Sequence, residues 1–182
     1  MICAIGVIGA GKVGRAIALA AAVGGYRTIL EDLLPNALRR AESDLRASLD
    51  QAVGFARISA SAADAAFSRL AFAGSVEDAA READLVIEAG PEELESKIEI
   101  FTLLDKICRP GTILVSNLTV LSISEIARVT YRARNCVGMR FAEEAKRLEI
   151  VRGLDTDDQT LAAAMEVGKR MGKDVFVSND AA

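Results

Sequence analysis

Residues 5–18, Ile5-Gly6-Val7-Ile8-Gly9-Ala10-Gly11-Lys12-Val13-Gly14-Arg15-Ala16-Ile17-Ala18, restrict the fold more than any other stretch of the chain. Ile5, Val7 and Ile8 form the apolar run that a fully buried parallel strand needs. They lead into three glycines in G-x-G-x-x-G spacing and then into a helical run that ends at Gly24-Gly25. Each glycine answers a separate requirement. Gly9 permits a tight turn, Gly11 lets backbone amides approach a pyrophosphate with no Cβ between them, and Gly14 lets the helix sit close against the strand. The unpaired N–H groups of the first helical turn then face the anion. Glycines also occur in ordinary turns, so the context has to decide. A second strand, Thr28-Ile29-Leu30-Glu31, ends in Asp32, at the distance where a ribose-binding acid is expected. An acid there bonds the ribose hydroxyls and repels a 2′-phosphate, and no arginine follows it immediately. The motif therefore predicts NAD rather than NADP.

The remaining composition narrows the function class. A length of 182 residues, 51% hydrophobic and 26% charged, predicts one globular domain able to bury a core. A net charge of -4, with no basic cluster interleaved with aromatics, argues against a nucleic-acid partner. No apolar stretch approaches the ~20 residues a membrane span needs, and the N-terminal apolar run reads as the first strand rather than a signal peptide; a cytoplasmic protein is expected. Cys3, Cys108 and Cys136 lack metal-ligand spacing and lie in or beside core segments, so they read as buried free thiols with no metal site. The chain has no histidine, so any general base has to be something other than an imidazole.

After Asp32 the pattern turns helical. Pro35 suits a first helical turn, and Ala37, Leu38, Ala41, Leu45 and Leu49 recur at helical spacing to about Val53. Ser61 is read as the cap of a second helix to Arg69, with Ala62, Ala65 and Ala66 sharing a face. The two form a helical hairpin inserted between strands. Strand and helix then alternate. Residues 70–73 form a strand, Ser75 to Asp78 a capping box, 84–89 a strand and 92–108 a helix with an apolar face of Leu94, Ile98, Phe101, Leu104 and Cys108. Residues 112–116 are the next strand, and Ser122 to Glu125 a second capping box. Strands are expected at 135–141 and 146–151. A third capping box at Thr156-Asp157-Asp158-Gln159 opens a helix that Gly172 closes, and 175–177 is the last strand. Such β-α units specify a doubly wound, mainly parallel sheet.

The segments ADLVIEAGPEELESKIEIF, TILVSNLTVLSISEIA and VGMRF, taken with the glycine loop and Asp32, resemble the NAD-binding domain of 3-hydroxyacyl-CoA dehydrogenases over nearly the whole chain. The P-E-x-x-x-x-K and S-N-x-[ST]-x-L-S-I elements are far more specific than the glycine loop. The resemblance implies an α/β fold of Rossmann type with the inserted hairpin, an oxidoreductase of fatty-acid metabolism, NAD as cofactor and an acyl-CoA-type substrate. Glu92 and Lys97 match the family's cofactor-contacting acid and lysine, and Asn117 the asparagine beside the nicotinamide. Thr119 stands where the family has a serine that bonds the substrate oxygen, and Glu149 matches the acid that orients the catalytic histidine. Thr119 and Glu149 are thus the catalytic candidates. Each side chain also has an ordinary alternative: Glu92 as a first-turn acid on the helix dipole, Lys97 as a solvated charge, Asn117 as a turn residue and Thr119 as a helix-approach residue.

Two departures matter. Where the family carries its histidine within G-M-H-F-F-N-P, this chain has Gly138-Met139-Arg140-Phe141-Ala142-Glu143-Glu144, and an arginine does not take a proton from a hydroxyl at neutral pH. The expected local result is an ion pair between Arg140 and Glu149. The family also continues, after a motif beginning near Asp180, into a helical domain that completes the substrate pocket and forms the dimer. A single domain over 1–182 is expected here, with a homo-oligomer or a partner subunit supplying the helical part. Two function classes follow: a 3-hydroxyacyl-CoA dehydrogenase domain, and a non-catalytic NAD-binding sensor or subunit in which Arg140 binds a carboxylate or phosphate.

Overall fold

The computed structural model describes residues 1–142 and 146–180. Glu143, Glu144 and Ala182 lie outside the described residues, and with them part of the segment that replaces the family's histidine motif. Strand β1 (Ala4–Ile8) is buried throughout and passes through the glycine loop into α1 (Lys12–Val23). Then follow β2 (Arg27–Glu31), the helical pair α2 (Pro35–Gly54) and α3 (Ala60–Phe67), β3 (Leu70–Ala73), α4 (Val76–Ala80) and β4 (Leu85–Glu88). The second half runs α5 (Leu94–Ile107), β5 (Ile113–Asn117), α6 (Ile123–Ala127), β6 (Cys136–Phe141), β7 (Arg147–Arg152), α7 (Asp158–Arg170) and β8 (Asp174–Asn179).

Among the described residues the strands form one sheet in the order β3-β2-β1-β4-β5-β6-β7-β8. The first six are parallel; β6 and β7 pair antiparallel, and β8 runs parallel to β7. The chain therefore winds outward from β1 through β2 to β3, then returns to the other side of β1 with β4. That reversal opens a crevice at the C-terminal ends of β1 and β4, where doubly wound sheets bind their ligands. Two apolar layers bury the faces. Val7, Ile17, Ala21, Leu30 and Leu148 belong to the α1 and α7 side, and Ile8, Val86, Phe101, Leu104 and Leu114 to the α4 and α5 side. The inserted hairpin closes on Leu49, Ala63 and Ala66, against Leu19 of α1.

The structure corrects several local expectations. Ser59, not Ser61, caps α3, its hydroxyl accepting from Ala62 N at 3.2 Å; Ala63 and Ala66 are the buried alanines, while Ala62 is exposed. Asp157 caps α7, accepting from Thr160 N at 2.7 Å. Thr156 is unavailable because its buried hydroxyl donates to Cys136 O and accepts from Gly153 N, two contacts invisible in a linear capping motif. Helix α5 begins at Leu94 because Glu93 is still extended (φ -125°, ψ 120°), so Glu92 lies before the helix. Cys3 is exposed, whereas Cys108 and Cys136 are buried; burial pushes their thiols up to about 11 and about 12, which leaves them unreactive.

Candidate functional site: the crevice at the strand reversal

The glycine loop has the geometry that its spacing predicts. Gly9 adopts φ +103°, a conformation that side chains disfavour. A Cβ at Gly14 would stand 1.8 Å from the Gly9 carbonyl oxygen, so only glycine lets α1 approach the loop this closely. Around Gly11 the opposite holds: a Cβ there would meet nothing within 4 Å among the described residues. No side chain caps α1 and no acid occupies its first turn, so its leading N–H groups face that open space. Uncrowded backbone at a bare helix N-terminus fits a pyrophosphate.

Asp32 follows β2 and borders the same space. Its Oδ2 accepts from Ala10 N at 3.1 Å and its Oδ1 from Leu34 N at 2.9 Å, so the carboxylate is fixed against the glycine loop. A cavity of about 430 Å³ extends from Gly9 and Asp32 past Leu33, Leu34, Val76 and Ile100. That volume lies within the roughly 300–1,000 Å³ of ligand pockets. A larger hollow of about 640 Å³ is built from α1 and α2 alone and contains no strand end.

On the far side of β4 a buried polar cluster organises the loop after β5. Lys97 is 0% exposed, and its Nζ donates to Glu88 Oε2 at 2.7 Å and to the Asn117 carbonyl at 2.9 Å. Glu88 also accepts from Ser116 Oγ and Gly90 N, each at 2.7 Å. Three donors on a buried carboxylate compensate for its desolvation, so the pair is a well-satisfied one. Lys97 is therefore not a solvated charge. Glu92 sets the next residues: its Oε1 accepts from Thr119 N (2.7 Å), Val120 N (2.8 Å) and Leu121 N (3.1 Å). Partial burial raises the Glu92 carboxyl, but these N–H donors and the charge of Lys97 outweigh it and hold it below the usual carboxylate range.

Asn117 Oδ1 accepts from Phe141 N at 3.1 Å, joining β5 to the end of β6. Thr119 is exposed beside it. Arg140 makes the expected ion pair, Nη1 donating to Glu149 Oε1 at 2.7 Å, while its Nε donates to the Thr119 carbonyl at 3.2 Å. The structure thus brings Asn117, Thr119, Arg140 and Glu149 together, and places Gly9, Gly11, Gly14 and Asp32 at the other end of the crevice. Sequence reasoning missed Glu88, Ser116 and Glu31. For the two acids the available signal was a carboxylate ending an otherwise apolar strand.

Among the described residues no helix is long and apolar enough to cross a membrane, and no group of His, Cys, Asp or Glu is placed to hold a metal ion. A doubly wound sheet with a glycine loop, an uncapped helix and a ribose-type acid at its reversal defines a dinucleotide-binding α/β domain. Residues 4–181 match the family described as 3-hydroxyacyl-CoA dehydrogenase, NAD binding domain. The chain belongs to that family as its NAD-binding domain, and NAD is the cofactor. It is 35% identical over 177 residues to a probable 3-hydroxybutyryl-CoA dehydrogenase of Bacillus subtilis, covering 96% of this chain and 61% of that protein. A peroxisomal bifunctional enzyme of Danio rerio is 35% identical over 170 residues, which are 92% of this chain and 23% of that longer protein. The crystal structure of (S)-3-hydroxybutyryl-CoA dehydrogenase from Ralstonia eutropha superposes with a TM-score of 0.95 at 30% identity, covering all of this chain and 65% of that one. The chain thus spans less than two thirds of the length of these relatives.

Proposed function

We propose that the crevice binds NAD(H) with the pyrophosphate on Gly11 and the open end of α1, the adenosine ribose on Asp32, and the nicotinamide toward Asn117 and Thr119. The observation that carries this reading is the empty backbone approach at Gly11 beside an uncapped helix, with Asp32 anchored to the same loop. Glu92 serves the cofactor with its second carboxyl oxygen, which makes no hydrogen bond within the described residues, and holds residues 119–121 with the first. Lys97 acts from beneath, fixing the Asn117 backbone.

The activity that goes with this site is that of a 3-hydroxyacyl-CoA dehydrogenase. Bound NAD would supply the acceptor for a hydride from C3 of a 3-hydroxyacyl thioester, the hydroxyl proton passing to solvent water. Thr119 bonds the substrate oxygen through its exposed hydroxyl. Arg140 stands where a base is needed and is bound to Glu149, so this chain polarises an oxygen but does not remove its proton. The partners of this site are an acyl-CoA-type substrate and a helical segment that closes over it, in a cytoplasmic setting. The ion pair favours a second reading, a non-catalytic NAD-binding sensor or subunit in which Arg140 meets a carboxylate or phosphate.

The test of the cofactor reading is calorimetric titration with NADH and NADPH. The unmutated chain should favour NADH, and Asp32→Ala should weaken NADH and narrow the preference together. Equal affinities in the unmutated chain would overturn it.

A further inference from the structure

Glu31 ends β2 opposite Ile8 of β1, and Ile8 pairs on its other side with Glu88 of β4. Residues in register on adjacent strands point to one face, so both acids share the face covered by α4 and α5, and both line the 430 Å³ cavity. Their fates differ. Glu88 is bonded to Lys97, Ser116 and Gly90, whereas Glu31 is 3% exposed and its buried Oε1 has no hydrogen-bond partner among the described residues. Burial pushes the Glu31 carboxyl up to about 7, the neighbouring charge of Asp32 adds to this, and an N–H of Gly9 opposes it. A buried acceptor left unpaired costs about 1–3 kcal/mol, and such groups in a folded protein call for a specific explanation.

The cavity supplies one. Gly11 and Asp32 mark the pyrophosphate and ribose positions, so the next part of the dinucleotide, its base, enters the space beyond Asp32. Leu34, Val76 and Ile100 give that space apolar walls suited to a flat ring, and Glu31 is the acid on its strand side. The terminal torsion of a glutamate is broad, so turning the carboxyl to present either oxygen is inexpensive. We propose that Glu31 reads the base of the cofactor, its carboxyl oxygen accepting a hydrogen bond from the exocyclic amino group of adenine and so selecting adenine over hypoxanthine dinucleotides. This rests on the crevice being the NAD site.

The experiment is calorimetric titration of the unmutated chain, Glu31→Gln and Glu31→Leu with NADH and with its isosteric hypoxanthine analogue, which has no amino group. One neutral hydrogen bond corresponds to roughly a three- to tenfold preference. The unmutated chain should favour NADH by that factor. Glu31→Gln, which keeps an acceptor oxygen, should retain the preference, and Glu31→Leu should bind both dinucleotides within about twofold. Thermal unfolding of Glu31→Leu should show a midpoint at or above that of the unmutated chain, since the unpaired carboxyl is gone. No preference in the unmutated chain, or an equal one in Glu31→Leu, would overturn the proposal while leaving NAD binding intact. Failure of the unmutated chain to bind NADH would overturn the cofactor site itself.

Discussion

Arg140 on β6 and Glu149 on β7 are register partners in the sheet's antiparallel pair, and an ion pair of 2.7 Å joins Nη1 of the first to Oε1 of the second. With 34% and 22% of these side chains exposed, water screens the pair, so its value lies more in position than in stability. Through Nε the same guanidinium holds the Thr119 carbonyl, tying the β6–β7 ribbon to the loop that Glu92 organises.

The consequence is kinetic. Followed by nicotinamide absorbance with acetoacetyl-CoA, this chain should turn over far more slowly than a dehydrogenase with a general base, whose contribution is about 10²- to 10⁴-fold. Arg140→His alone should recover little, because the shorter imidazole must still reach both Glu149 and the Thr119 loop that the guanidinium now joins. Brisk turnover by the unmutated chain would show that another group carries the proton.

Lys97→Met should be among the most destabilising single changes in the domain. It leaves Glu88 buried with two donors and no counter-charge, a loss of about 3–5 kcal/mol. Urea unfolding measures it, and the double variant Glu88→Gln/Lys97→Met should lose less than the sum of its parts. A loss under about 1 kcal/mol would mean that the pair does not hold the β4–β5 ends together.

Glu31 gives the domain a pH dependence of definite sign. Its folded-state value, about 7, lies above the ordinary 4.5, so between these limits the folded chain holds a proton that the unfolded chain has released. This contribution is full below pH 4.5 and is lost as pH rises toward 7, by at most about 1.4 kcal/mol per pH unit. Asp32, Glu88 and Glu99 line the same cavity, and Lys97 is bonded to Glu88 beneath it. Asp84 and Asp180 are held below the usual range, where backbone N–H and hydroxyl donors outweigh burial; they act at lower pH and in the opposite direction. Urea unfolding from pH 5 to 8 should therefore show Glu31→Leu gaining on the unmutated chain as pH rises. A pH-independent difference would contradict this origin.

The reversal of the sheet, the inserted hairpin and the glycine loop were legible because local periodicity and spacing encode them. The inside of the site was less so. Leu94, Lys97, Phe101 and Leu104 lie on one helical stripe, whereas the apolar residues alone point to a face through Ile98, since a lysine is rarely buried without a partner. That partner, Glu88, sits nine residues back on another element. Thr156 likewise had its hydroxyl taken by Cys136 and Gly153, shifting the cap to Asp157. Glu31 looked like the last residue of an ordinary strand; only the register with Ile8 and Glu88 shows it facing the cavity.

The central claim, that the open backbone at Gly11 is a pyrophosphate site, is tested most directly by titrating Gly11→Val with NADH beside the unmutated chain. Since a Cβ at this position meets nothing within 4 Å, the variant should keep its circular dichroism and unfolding midpoint. It should also lose NADH binding by at least about a hundredfold, because the side chain fills the space the pyrophosphate needs. A folded Gly11→Val that binds NADH with unchanged affinity would contradict the account.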